Sequence, residues 1–478
     1  MSQTTPHRAP RRSLRPSEPP SPQAKRALVS GATGAALEWF DFALYGALSA
    51  TVFPALFFND LDPGMGLLAS FATFGVGFFA RPLGGIVFGY LGDRFGRRQI
   101  LLTTFIMMGA ASVVIGLLPP YATIGFIAPL ILVLMRFIQG VALGGEATGA
   151  QLMTMEHAPG DRRAFYGAVM AMGSPVSQVM ANLLLAVMTA TLSAEAFLSW
   201  GWRLPFLLSV LLVLVGIYIR LKVEETPLFK EGQKHAQEGV GTLTVLKTHG
   251  VAILRLMLAY APIVLTFYVV SVFGISYLTG RGFTQTETFT IIMIANLVSV
   301  VAMWFGGRLA DVYGRRRILM VGSIGTLIAA FVFFPVAHLG SFPLTLLVVT
   351  FALASAQFGN AGQGAFFAEA FPTRIRYTGS ALALTGSTLV FAAPAPFLAT
   401  GLMNISGGST VPLTVVWILV IVAALITMVT MGDGKTLEGG RHHFTRAAVN
   451  TADAADADDA GTTGDAEANE APVPTAVH

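Results

Sequence analysis

Apolar runs of about 20 residues or more, parted by short polar stretches, recur along most of this chain. A run of that length crosses a bilayer core of about 30 Å as an α-helix, whereas barrel strands would be half as long and would alternate. The pattern predicts helical spans at 28–58, 65–91, 99–118, 126–154, 164–190, 203–221, 251–279, 288–309, 317–337, 343–370, 377–402 and 411–431. Twelve spans place both termini on one side of the membrane. The longest polar interruption, 222–250, separates six spans from six and reads as a linker. The expected plan is a disordered basic tail at 1–26, a six-helix bundle over 27–221, the linker 222–250, a second six-helix bundle over 251–432, and a disordered acidic tail at 433–478. Neither tail has the apolar content to pack a core. The apolar stretch after the first tail is too long for a secretory h-region, so the first helix is expected to be retained.

Charge orients this plan. Outside the tails, seventeen Lys and Arg fall in one alternate set of loops, and two, Arg203 and Arg281, in the other. Positively charged loops stay cytoplasmic, so the first set and both termini are expected there. Composition agrees: 54% of residues are hydrophobic and 12% charged, with mean hydropathy +0.67, against about a quarter charged in soluble domains. Cysteine is absent, which excludes thiolate nucleophiles, disulfides and cysteine metal sites. The eight His show no paired ligand spacing, and His442 and His443 read as solvated tail residues. No nucleophile–base constellation or cofactor fingerprint appears, so the chain is not expected to be an enzyme and no cofactor is expected. The expected partners are a small solute and the bilayer, with no nucleic acid, and the expected state is a monomer.

Two motifs occur twice. Gly89-Tyr-Leu-Gly-Asp-Arg-Phe-Gly-Arg-Arg98, between spans 2 and 3, reappears as Gly307-Arg-Leu-Ala-Asp-Val-Tyr-Gly-Arg-Arg316 between spans 8 and 9. Glu156-x-x-Pro159-x-x-x-Arg163, after span 4, is matched by Glu369-x-x-Pro372-x-x-x-Arg376 after span 10. Repetition at matching positions predicts two related, pseudo-symmetric halves. Glycine permits a tight turn, Asp can face a helix N-terminus, and the Arg cluster holds the loop on its side. The expected role is a pair of cytoplasmic ionic latches: Asp93 and Arg97 with Glu156, and Asp311 and Arg315 with Glu369 beside Arg376. These would hold an outward-facing state and break on opening inward.

The loop motif resembles the signature of the major facilitator superfamily, and Arg136-Phe-Ile-Gln-Gly-Val-Ala-Leu-Gly-Gly-Glu146 resembles its fourth-helix motif. Glu38-Trp-Phe-Asp41, Phe79-Ala-Arg81-Pro-Leu-Gly-Gly, Trp200-Gly-Trp-Arg-Leu-Pro-Phe206 and Glu224-Glu-Thr-Pro-x-Phe229 resemble the metabolite:proton symporter branch, which includes shikimate, alpha-ketoglutarate, citrate and proline/betaine permeases. The resemblance covers about 25–431. It implies a multi-pass protein of the bacterial inner membrane that carries a small solute with protons. Tyr90 stands where relatives often carry His, so no histidine relay is carried over.

Charges inside the spans are few: Glu38 and Asp41 in span 1, Arg81 in span 2, Arg136 and Glu146 in span 4. An unpaired charge at the bilayer centre costs about 2.5 to 3.5 kcal/mol on insertion scales, so these groups should face a cavity and pair. Glu38 and Asp41 share one helix face and lie roughly 15 to 20 Å in from Arg26. Two neighbouring carboxylates in low dielectric resist ionising together, so the pair could take up and release a proton. Proton coupling is therefore expected at Glu38 and Asp41, with Glu146 as a third candidate. A planar guanidinium suits a carboxylate, which makes Arg81 and Arg136 candidate anchors for an anion. The second half supplies neutral polar groups, Tyr260, Tyr268 and Tyr277 in span 7, Asn296 in span 8, and Gln357, Asn360 and Gln363 along one face of span 10; of these, Tyr268, Gln357 and Asn360 are expected to bind substrate. The leading expectation is proton symport of a small organic carboxylate by alternating access. Alternatives are proton-coupled uptake of a zwitterionic osmolyte such as betaine or proline and, more remotely, a non-transporting membrane sensor.

Overall fold

The computed structural model describes residues 22–95, 97–144, 162–222, 242–372 and 375–431. Among these, the helical spans of the first half are α1 (Pro22–Thr51), α2 (Pro63–Phe95), α3 (Arg97–Leu117), α4 (Ile127–Gly144), α5 (Arg163–Thr191) and α6 (Arg203–Lys222). Those of the second half are α7 (Thr242–Gly280), α8 (Gln285–Tyr313), α9 (Arg315–His338), α10 (Phe342–Glu369), α11 (Arg376–Ile405) and α12 (Val411–Thr430). Nine of these spans are long and apolar enough to cross a membrane by themselves.

Several boundaries differ from the hydropathy reading. The first helix begins at Pro22, inside the stretch read as a tail, and α7 begins at Thr242, inside the linker. Polar residues there allow a helix to continue beyond the bilayer core, and His249 takes a non-helical φ of -120° where the apolar part begins. Span 10 is not one helix: it stops at Asn360 and restarts at Gln363. Gln363 therefore does not continue the face of Gln357 and Asn360. Gly362 lies close under the Arg315 carbonyl, where a Cβ would come within 3.0 Å, and the chain turns there. Five-residue π turns interrupt α7 at Val269–Phe273 and α11 at Thr388–Ala392, which widens the helix locally and redirects the side chains that follow.

In lipid no hydrophobic force draws helices together, so close packing of small residues must do it. Against α2, Gly140 of α4 lies on the Gly77 carbonyl and Gly144 on the Arg81 carbonyl, while Gly84 of α2 lies on the Val141 carbonyl. The second half repeats the device with Gly306 on the Phe358 carbonyl and Gly322 against Gly359. These contacts bring α2 onto α4 at the level of Arg81 and Arg136. A Gly144→Ala substitution places a methyl group into a backbone carbonyl, which costs about 3 kcal/mol or more. The expected result is a lower thermal midpoint and less monodisperse protein in detergent. Gly250→Ala, which meets nothing within 4 Å, should leave both unchanged.

Candidate functional site

Three intramembrane charges of the first half, Asp41, Arg81 and Arg136, gather around Phe42. Asp41 and Phe42 follow one another on α1, and both are buried. The Arg136 guanidinium lies 3.7 Å from the Phe42 ring centroid and 4.2 Å from that of Tyr45. Arg81 reaches the same Phe42 ring at 4.3 Å, and the Phe78 and Trp39 rings at 4.5 and 4.9 Å. A ring's negative face attracts a cation by about 2 kcal/mol or more where both are desolvated, so the aromatic residues hold the guanidiniums in place of water. Gly77 makes this possible, because a Cβ there would stand 2.7 Å from Arg136 Nε.

Asp41 and Arg136 do not touch. Arg136 Nη1 donates to Gln139 Oε1 at 3.1 Å, Gln139 Nε2 donates to Ser112 Oγ at 2.9 Å, and Ser112 Oγ donates to Asp41 Oδ2 at 2.5 Å. The guanidinium and the carboxylate are thus joined through two neutral polar side chains. Ser209 of α6 also stands beside the carboxyl but gives its proton to the Phe206 carbonyl, leaving Oδ1 with no donor among the described residues. Arg136 is 0% exposed, and its Nε and Nη2 have no hydrogen-bond acceptor among the described residues. Sequence reasoning missed Ser112 and Gln139. The one signal was that Gln139 stands three residues after Arg136, on the same face of α4.

The second half reaches this cluster through Tyr268, just before the π turn of α7. Its ring meets Phe78 edge-on at 5.4 Å and Phe74 at 6.0 Å. Gln357 and Asn360 form a separate network, in which Asn360 Nδ2 donates to Gln357 Oε1 at 2.8 Å and Tyr260 Oη donates to Asn360 Oδ1 at 2.9 Å. Glu38 lies on α1, but its side chain is outside the described residues, as are the side chains of Asp93 and Arg97 and the whole of Glu146 and Glu156.

The second-half loop motif can be followed atom by atom. Arg315 Nη2 lies 3.2 Å from Asp311 Oδ1, and its Nε lies 3.4 Å from Glu369 Oε1. Arg376 Nε donates to the Ala368 carbonyl at 3.0 Å. Asp311 also faces a helix N-terminus, as an Asp of this motif can, and the helix belongs to the other half. Its two oxygens accept from the backbone N–H groups of Ala164 and Phe165, at 3.0 and 2.9 Å, and so cap the first turn of α5 in the other half. A carboxylate satisfies orphan donors there and faces the positive end of the helix. At the opposite end of the same helix pair, Thr286 of α8 donates to Thr189 of α5 at 3.0 Å. The halves therefore meet at both ends of the molecule.

A helical membrane fold in two halves, with charges buried among the spans of the first half and a capped seam between the halves, defines a solute carrier. The family model of the Major Facilitator Superfamily matches residues 32–394, and the chain belongs to that family. It is 37% identical to the inner membrane metabolite transport protein YhjE of Escherichia coli, over 79% of this chain and 88% of the relative. Identity to the shikimate transporter of Escherichia coli is 36%, over 81% and 90%, and to the proline/betaine transporter of Salmonella typhimurium 32%, over 86% and 83%. A solved D-xylose–proton symporter shares the fold, with TM-score 0.69 and 16% identity, covering 87% of this chain and 99% of that one. The twelve-helix, two-bundle layout fits that neighbour. The protein is accordingly a multi-pass transporter of the bacterial plasma membrane, not an enzyme.

An Asp311→Ala substitution removes the cap on α5 and one side of the Arg315 ion pair. Loss of a cap costs about 1 kcal/mol, and loss of the buried carboxylate adds to it. The seam should open more often at this end. A single cysteine introduced by Met172→Cys, in a chain that contains no other, should then react with maleimide about tenfold faster than with Asp311 intact.

Proposed function

We propose that this chain is a proton symporter for a small organic carboxylate, with Asp41 as the proton-carrying group and Arg136 as the anchor of the anion. The observation that carries this reading is the state of Arg136: buried, linked to Asp41 through Gln139 and Ser112, and with Nε and Nη2 lacking an acceptor among the described residues. With Asp41 ionised, its charge compensates the guanidinium through the two intervening side chains. Once Asp41 takes a proton, the guanidinium is uncompensated and a substrate carboxylate becomes the favoured counter-ion. Loss of that proton restores the internal pair and weakens the hold on the anion, so proton and solute travel together. Arg81 and Tyr268 stand beside this point, and Gln357 and Asn360 would orient the remainder of the solute from the second half. Glu38 and Glu146 are further proton acceptors in this reading.

The Arg-rich loops, and with them both termini, face the cytoplasm by their charge. The Asp311 cap and the Arg315–Glu369 pair then form the cytoplasmic latch, which parts as the bundles rock about the midplane site. No cofactor enters this cycle, the proton being the coupling ion, and the transporter acts as a monomer.

A zwitterionic osmolyte is the second reading, supported by the proline/betaine transporters among the relatives. A quaternary ammonium would need open aromatic faces. The Phe42 and Phe78 faces already hold guanidiniums, which favours the carboxylate.

Proteoliposome uptake tests the proposal. With an inward proton gradient, the intact protein should accumulate a carboxylate that Asp41→Asn accumulates at least tenfold less, while the variant still exchanges labelled for unlabelled solute. Arg136→Gln should abolish both activities. Gradient-driven accumulation that survives Asp41→Asn would remove Asp41 from the coupling step.

A further inference from the structure

The seam between α5 and α8 contains two amide side chains whose oxygens meet no donor among the described residues. Asn182 Nδ2 donates to the Gln178 carbonyl at 2.8 Å and to Gln178 Oε1 at 3.0 Å, and Asn296 Nδ2 donates to the Ile292 carbonyl at 2.9 Å. A carbonyl oxygen only accepts, so in each amide the nitrogen must face it and Oδ1 must point elsewhere. Both residues are 0% exposed, and neither Oδ1 has a donor among the described residues. A buried acceptor without a donor has given up its hydration for nothing in return, and here the two bundles present one each.

Their placement follows from contacts along the helices. α5 and α8 run antiparallel, with Thr189 bonded to Thr286 near one end and Ala168 against Gly307 toward the other. Each step up α5 is matched by a step back along α8, which sets Asn296 at the level of Val179, between Gln178 and Asn182. Asn182 precedes Thr189 by about two turns and so shares its seam-facing side. On the other flank of α5, Ser177 Oγ donates to the Ala36 carbonyl of α1 at 2.6 Å. The two helices are parallel, so five residues further along each stand Asp41 and Asn182. Both orphan oxygens therefore lie at the depth of the proton and anion site.

We infer that Asn182 and Asn296 form a second subsite that accepts hydrogen bonds from two hydroxyl groups of the transported carboxylate, so that the substrate is a polyhydroxylated acid rather than a plain alkyl carboxylate. This rests on the carboxylate reading above and deepens it. Each hydroxyl has one proton to give, so satisfying both oxygens takes two hydroxyls. A hydroxyl can donate there without adding a further positive charge at the depth of the Arg81 and Arg136 guanidiniums. Because one acceptor belongs to each bundle, a diol bridging them ties the bundles together only when the right solute is bound.

The test compares solutes of one carbon skeleton: 3,4-dihydroxycyclohexanecarboxylate with cyclohexanecarboxylate, and gluconate with hexanoate. Binding to the full-length purified protein is read by titration calorimetry. The hydroxylated member of at least one pair should bind roughly 30-fold or more tightly, as two hydrogen bonds of ordinary net strength imply. In the Asn182→Leu, Asn296→Leu double variant that ratio should fall to about one. The leucines fill similar space and remove the orphan oxygens, so the solute-free thermal midpoint should hold or rise. A ratio that persists in the double variant, a ratio near one in the intact protein for both pairs, or tighter binding of amino-substituted than hydroxylated acids overturns the inference. A fall in midpoint with the ratio unchanged would mean that the amides only bind structural water, which also overturns it. Arg136→Gln separates the two layers. If it leaves the binding of both members intact, the carboxylate anchor is wrong, whereas the ratio still reports on the asparagines.

Discussion

Everything at the centre of this protein depends on keeping the fully buried Arg136 guanidinium charged. A cation at that depth is tolerated only where polar or aromatic groups replace its hydration. Here the rings of Phe42 and Tyr45 face it, Gln139 accepts one of its protons, and Gly77 leaves room for its Nε. The packing of α2 on α4 is part of the same arrangement, because the glycines that let the helices approach flank the level of Arg81 and Arg136. A bulkier residue at Gly77, Gly140 or Gly144 would change the electrostatics of the site as well as the packing.

The two halves are joined by unlike contacts at their two ends. At the Arg-rich end, the Asp311 carboxylate caps α5 while pairing with Arg315, so a helix dipole and an ion pair depend on the same side chain. At the other end the described contacts across the seam are neutral: Thr286 donates to Thr189, and Gly64 of α2 packs against the Asn404 side chain of α11. A buried charge-assisted contact costs more to break than a neutral one. Parting the Arg-rich end must therefore break charge-assisted contacts that the described residues of the other end lack. The π turns in α7 and α11 fall in the same half as Tyr268, where a helix that is already widened can bend at low cost.

Much of this was legible in the chain, and the remainder was hidden for physical reasons. Charge in an apolar run is a loud signal, so Asp41, Arg81 and Arg136 stood out, and the doubled loop motif pointed to Asp311, Arg315 and Glu369. Ser112 and Gln139 are ordinary polar residues in their spans, and their role exists only because α1, α3 and α4 meet. That an Asp of this motif can face a helix N-terminus was legible, but not which helix, because the donors are backbone N–H groups of Ala164 and Phe165 in the other half, which carry no side-chain signature. The break after Asn360 was missed because hydropathy is indifferent to a helix that stops and restarts within an apolar stretch. Asn182 lay within an apolar run and was passed over, its significance depending on Asn296 from the other half.

The central claim is that solute capture at Arg136 and protonation of Asp41 are one event. It is tested most directly by adding a carboxylate that raises the thermal midpoint to purified protein in weakly buffered solution and following an indicator dye. The account predicts uptake of about one proton per carboxylate bound, and none in Asp41→Asn. Full binding without proton uptake, or the same uptake in Asp41→Asn, would contradict it.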